Sequence, residues 1–450
     1  MNLARAAAAS SLLTCASLGA TTTEIGPGDD LAAALNSLHA GDTLLLDAGT
    51  YTLNGYVGVS LQGTNANPIV IRAQAGAHPL VTQLANQNII NFISSTFVTI
   101  DGIEFTGGSI GLRFQAGGST PTMGGSDITV QNCHVHATPA NAIAANSDGN
   151  DYARFRFIHN EIDHTGDTGE GLYLGCNNDG CRFHDSLVAN NHIHDLNGAT
   201  ITQGDGIEIK QGSYANVVED NVIHDTGYPG ITMYDLHGEG GGAVNIIQRN
   251  IVWNTGDNGI QVTADAIVRN NIVLSECAGC NAFASNNVQG GSAANLVIAN
   301  NTLFAPGSGC NGIKLNAVSG SVMIANNAIY ATGNAISANG TLTGVTVVAN
   351  AGTGSLNGVS TGFDAGGNVG SDFFGASLSG TPPQNLIPKG SLLPGMANAM
   401  PLPIDDFDGH PRSGHLDIGA YGANTAGTPG WTIQGAFKVL DEIFFDGFGP

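Results

Sequence analysis

Residues 188–195 read VANNHIHD, and thirty residues further on 218–225 read VEDNVIHD. The phrase returns as IQRNIVWN at 247–254, VRNNIVLS at 268–275, IANNTLFA at 298–305 and IANNAIYA at 324–331. Upstream it stands as FIHNEIDH at 157–164 and VQNCHVH at 130–136. Its aligned asparagines are Asn160, Asn191, Asn221, Asn250, Asn271, Asn301 and Asn327, separated by 31, 30, 29, 21, 30 and 26 residues. A second phrase follows each: GLYLG at 171–175, GIEIK at 206–210, GITMY at 230–234, GIQVT at 259–263 and, after AFASN, GIKLN and AISAN. Every repeat carries short alternating strands and no helical period. Self-similarity at this interval specifies a solenoid or a propeller, and a propeller blade needs about 40 residues and four strands. The repeats here are too short for that. The expected fold is therefore all-β, a right-handed parallel β-helix solenoid whose coils stack at about 4.8 Å.

Two local consequences follow. Asparagine is expected at one corner because it tolerates the left-handed backbone region, and stacked asparagine side chains can hydrogen-bond from coil to coil. Strand alternation sends Ile207 and Ile209 inward and Glu208 and Lys210 outward, as an exposed charge pattern. The open lower end of the core needs a cap. Residues 29–40 fit a short N-terminal capping helix, with Asp29 or Asp30 as N-cap and Gly41 as the stop. The segmentation read from the chain is a signal peptide at 1–20, a β-helix domain at 21–350, irregular Gly/Ser/Pro-rich coils and loops at 351–430, and a separate tail at 431–450.

Of 450 residues only 11% are charged, and 13 basic against 36 acidic residues give a net charge of −23. That balance excludes nucleic acid as a partner, since phosphate binding needs clustered Lys and Arg. Arg5, the weakly apolar run after it and the small residues around Ala16–Ala20 read as a secretion signal, so a secreted, cell-surface or periplasmic location is expected. No later run is long enough for a membrane span. Beyond the signal remain Cys133, Cys176, Cys181, Cys277, Cys280 and Cys310, an even number that points to disulfides. Cys176 and Cys181 are the best local pair. Cys277 and Cys280 also fit half of a zinc site, without a second CxxC to complete it.

GDTLLLDAGTY at 41–51, LQGTNANPIVIRA at 61–73 and FVTIDGIEFTGG at 97–108 resemble the N-terminal coils of secreted pectin-lyase-like β-helix proteins, closest to the alginate-lyase and chondroitinase-B type. The resemblance covers roughly residues 24–345. DGHPRSGHLDIGAYG at 408–422 resembles a C-terminal segment common in bacterial secreted β-helix proteins. The resemblance to the alginate-lyase and chondroitinase-B type implies a polysaccharide lyase that cleaves an acidic, uronate-containing polysaccharide by cation-assisted β-elimination; a monomer is expected. In that family acidic calcium ligands stand five and seven residues before a catalytic lysine. Here Asp205 stands five before Lys210, while Gln203 replaces the second acid; the family's arginine on the next coil is replaced by Tyr234.

Elimination needs a base for the proton beside the carboxylate, a cation on that carboxylate and an acid for the leaving oxygen. Lys210 is the candidate base and Tyr234 the candidate acid. Glu170 and Asp205 occupy equivalent positions on adjacent coils and, with Glu208, form a candidate calcium site of oxygen ligands. His136, His194 and His224 align in one outward column, with Asp163 and Trp253 in the same register. His224 is a candidate in proton transfer and His194 in sugar binding, and three histidines also suit zinc. Tyr173, Tyr228 and Gln261 complete the expected substrate contacts. Two other readings stay open: an inverting, polygalacturonase-like hydrolase using Asp205 and Glu208, which needs carboxyls roughly 6.5–9.5 Å apart, and a non-catalytic glycan-binding surface protein.

Overall fold

The computed structural model describes residues 19–117, 123–286, 289, 291–377, 385–412, 414–423 and 431–438; all but the last residues of the expected signal peptide lie outside them. The repeat phrases are the strands. Leu187–Ala189, His192–His194 and Ile207–Ile209 make one coil, and Val217–Glu219, Val222–Thr226 and Ile231–Met233 the next. Leu187 pairs with Val217, His192 with Val222 and Ile207 with Ile231, all in parallel. One sheet runs up the stack from Thr22–Ile25 to Val345–Val348, while the other two strands of each coil build a second sheet that ends at Phe363–Asp364. This is a parallel β-helix. The inward residues Val135, Ile193, Ile207, Ile209 and Ile223 are fully buried in one continuous core.

The capping helix is shorter than expected, Leu31–Asn36. Asp30 is the N-cap, its carboxylate accepting from the Ala33 amide at 2.9 Å, and Leu31 and Leu35 close the lower core. The helix stops at Ser37, so Gly41 is not its stop; Gly41 sits at φ +92° in the turn before Thr43–Leu46.

The asparagine corner holds, with one correction. The left-handed residues are those just before the aligned asparagines: His159, Asn190, Asp220, Arg249, Asn270, Asn300 and Asn326. The aligned asparagines themselves turn inward and are buried. Each side-chain carbonyl accepts the backbone N–H and the side-chain N–H of its counterpart one coil below; Asn221 does so for Asn191, both at 2.9 Å. Each amide nitrogen also donates to a strand carbonyl, that of Asn221 to Val188 at 2.9 Å. The ladder continues to Asn350, and Cys133 takes the lowest rung by donating its N–H to Asn160. Asn221→Ala would strand the Asn191 backbone amide in the interior, at about 1–3 kcal/mol for a buried group left unpaired. The urea midpoint should fall with an unchanged slope. An unmoved midpoint would mean that the ladder contributes nothing.

Past Asp364 the chain leaves the stack and runs back down its outside. Phe373, Leu386, Leu393, Phe407, Ile418 and Tyr421 form a second apolar cluster against Val222, Ile251, Trp253, Phe304 and Tyr330 of the coils. The descent follows the left-handed corner: Asn326 meets Asn398, Asn300 meets Asp417, Asn270 and Arg249 meet Asp405, and Asp220 meets Lys438. As far as Lys438, then, the tail is not separate. Lys438 is buried, with Nζ 2.8 Å from Asp220 and over the Phe407 ring at 3.6 Å.

Cys176–Cys181 is a disulfide, as is Cys277–Cys280, which removes the half-zinc reading; Cys133 and Cys310 are free and buried. Among the described residues no helix is long and apolar enough to cross a membrane.

Candidate active site

Two adjoining columns of outward side chains build the site. The first contains Asn141, Glu170 and Asp205 on successive coils, each one residue before an Ala-Ile, Gly-Leu or Gly-Ile pair. On later coils the same column carries Asn258, Asn281 and Asn311, which hydrogen-bond to one another; two acids thus stand where a polar ladder would otherwise run. The second column contains Tyr173, Glu208, Thr232 and Gln261, paired in register. Lys210 follows Ile209 and lies one coil below Tyr234, whose amide donates to the Ile209 carbonyl at 3.1 Å.

The expected exposure of Glu208 and Lys210 is wrong. Glu208 is 2% and Lys210 4% exposed. Alternation does aim them away from the coil interior, but large neighbours on the coils above and below close over them. Lys210 Nζ donates to Glu208 Oε1 and lies 4.6 Å from the Tyr173 ring centre and 5.0 Å from that of Tyr234. The Tyr234 hydroxyl donates to the same Glu208 oxygen at 3.1 Å. Thr232 Oγ1 donates to Asp205 at 2.5 Å, and the Asn141 amide to Glu170.

Oxygens of Glu170, Asp205 and Glu208 lie within 4.8 Å of one another, and all three residues are buried. Burial, then the charge of Glu208, holds the Asp205 carboxyl well above its usual 3.8. Burial also raises Glu170. Both tyrosines are raised by burial and then by Glu208, so Tyr173 and Tyr234 keep their phenolic protons. Glu170 Oε1 and Glu208 Oε2 are buried without a hydrogen-bond partner among the described residues. Unpaired buried oxygens and an all-oxygen donor set fit a hard cation. Glu170, from the coil before, brings the third carboxyl group beside Asp205 and Glu208.

The other expected residues divide. Gln261 is on this face, its Oε1 accepting from Asn258 at 3.1 Å and Asn286 at 2.8 Å. Tyr228 is exposed on the turn at 226–230, away from the tyrosine pair. His136, Asp163 and His194 share a column as read, and His224 pairs with Trp253. These histidines lie on the preceding strand of each coil, with no hydrogen bond, ion pair or ring contact to the Lys210 group among the described residues. His224 stacks on Trp253 at 4.3 Å, and Phe437 of the descending segment reaches His192 at 5.8 Å. Burial pushes His192 down to about 3 and lowers His224.

Arg113 was not singled out from the sequence. It stands two coils below Tyr173 in the Glu208 column, with Ala144 between them. It is half-buried, has no ion pair among the described residues, and its Nε lacks a partner. The signal was present: GLRFQ at 111–115 carries the same Gly-Leu phrase.

A family model described as the right handed beta helix region matches residues 88–303. Pectate lyase Pel9A superposes with a TM-score of 0.50 at 14% identity, covering 90% of this chain and 96% of that one. XylC bound to xylose gives 0.51 at 11% identity, covering 74% and 82%. A variant of the PL6 family alginate lyase AlyGC gives 0.50 at 15%, covering 82% and 55%. No curated protein sequence gives a match. The chain has the right-handed parallel β-helix fold that polysaccharide lyases use.

Proposed function

We propose that the protein is an exported polysaccharide lyase that cleaves a uronate-containing polysaccharide by cation-assisted β-elimination. The observation carrying this reading is a lysine enclosed between two tyrosine rings beside three buried, partly unpaired carboxylates. A calcium ion held by Glu170, Asp205 and Glu208 would neutralise the substrate carboxylate and acidify the neighbouring C–H. Lys210 Nζ, once neutral, takes that proton; the C–H electron pair forms the new C=C bond, and the C–O bond to the leaving sugar breaks. Tyr234 gives its phenolic proton to the leaving oxygen. Tyr173 supplies the ring face on the other side of Lys210, and Gln261 extends the polar face two coils up.

Carboxylate oxygens within 4.8 Å stand against the inverting hydrolase, which needs room for a water between its two acids. Two disulfides favour an oxidising compartment, in keeping with the sequence of the N-terminus.

Arg113 is assigned to a second carboxylate of the polymer, about 10 Å down the face, two coil spacings from Tyr173. Arg113→Gln is expected to raise KM about tenfold or more, the worth of a hydrogen bond to a charged group, with kcat nearly unchanged. An unchanged KM would remove Arg113 from the binding face. Turnover itself is tested by screening purified protein on uronate polysaccharides, with neutral polysaccharides as controls.

A further inference from the structure

On the strand column away from Lys210 lies a second set of donor atoms, and we propose that Glu161, His192 and His194 form a separate binding site for a divalent late transition metal of the zinc class. Glu161 and His192 pair across adjacent coils, and His194 follows two residues after His192, on the same side of the strand. One ligand atom from each lies within 4.8 Å of the others.

The hydrogen bonds around the three residues set which nitrogens carry protons. His194 Nδ1 is 2.8 Å from Asp195, so that nitrogen donates and, in the neutral ring a metal requires, Nε2 is the ligand atom. Nε2 lies 3.3 Å from Glu161 Oε1, where a metal ion would take the place of a bridging proton. His224 Nδ1 is 2.5 Å from Asp225, which leaves His224 Nε2 as an acceptor. His192 Nε2 lies 3.0 Å from it and must donate. The lone pair of His192 is thereby placed on Nδ1, which is 3.8 Å from the same Glu161 oxygen. With both rings neutral, two imidazole nitrogens and one carboxylate oxygen therefore converge as ligand atoms.

Each ligand histidine is held from behind, His194 by Asp195 and His192 through His224 and Asp225. This is how metal-binding imidazoles are oriented. Two histidines and a carboxylate suit zinc and its neighbours, whereas calcium takes oxygen donors alone. The neighbouring contacts are tighter: His134 meets Asp163 at 2.5 Å and His136 meets Glu104 at 2.9 Å, against 3.3 and 3.8 Å for the two histidines at Glu161. Glu161 is 38% exposed, which gives a metal its way in.

The test uses the whole protein, stripped with chelator and titrated with Co2+ as a spectroscopic probe, then with Zn2+. One equivalent of Co2+ should produce visible absorption bands, and Zn2+ should abolish them. His194→Ala should lose the bands. Asp195→Asn, a milder change, should weaken Co2+ affinity about 10- to 100-fold. Glu170→Gln and His136→Ala should keep the bands. Absence of bands in the parent protein, bands that survive both His194→Ala and Asp195→Asn, or bands lost in Glu170→Gln or His136→Ala would each overturn the proposal.

Discussion

Lys210→Arg is expected to lower turnover by about 10²- to 10⁴-fold, the range for losing a general base, while the protein stays folded. Arginine keeps the positive charge between the tyrosine rings and beside Glu208, but it does not give up its proton and so cannot act as a base. The more obvious Lys210→Ala is a poorer probe. Lys210 is buried, and its ammonium bonds Glu208 amid three acids. Removing one partner of a buried charge pair costs about 3–5 kcal/mol, because the other charge is left uncompensated. Alanine should therefore lose both activity and stability, and a dead Lys210→Ala alone would not separate chemistry from folding. Near-parental kcat in a folded Lys210→Arg protein would remove Lys210 from the reaction.

The second large effect is the response to calcium. Removing all divalent cation should abolish turnover and destabilise the fold, in a way that depends on pH. Asp205 and Glu170 are held above their usual values in the folded protein by burial, and Asp205 also by Glu208. The folded state therefore holds these protons more tightly than the unfolded chain. In cation-free buffer the associated stability is fully present below about pH 4 and is lost as pH rises through the raised folded values. Calcium should reverse the loss, adding about 2.7 kcal/mol at a hundredfold excess over its Kd. Glu170→Gln keeps the shape and removes one charge. It should make the cation-free protein more stable near neutral pH and should lose most of the calcium response. A thermal midpoint indifferent to chelator and calcium from pH 5 to 8, with undiminished turnover, would contradict the cation site.

The coil stack was legible because its cause is written in every repeat. An Asn at the corner and a Gly-Ile-x-Ile strand recur wherever one coil must hydrogen-bond the next. The pairing of Glu170 with Asp205, and of Lys210 with Tyr234, follows from that register. Burial of Lys210 does not: alternation along its own strand says only that it leaves the coil interior. The cover comes from Tyr173 and Tyr234, side chains one coil to either side. The left-handed position was misplaced by one residue, because the phrase shows a conserved spacing and not which of two adjacent residues bends the backbone. Residues 365–438 repeat nothing, so no register told where they would lie. Yet the described residues among them return along the corner and pack beside Trp253 and His224. The histidine column stands on a different strand of each coil from Lys210, which parts two groups that the sequence alone had joined.

The most direct measurement of the central claim is the absorbance of unsaturated uronate during incubation of the purified protein with uronate polysaccharides. A lyase produces a steady rise in that band that stops when divalent cation is chelated and is absent in Lys210→Arg. New reducing ends without the absorbance would mean hydrolysis, and binding without either product would mean a glycan-binding solenoid; both results would contradict the elimination assigned to Lys210 and Tyr234.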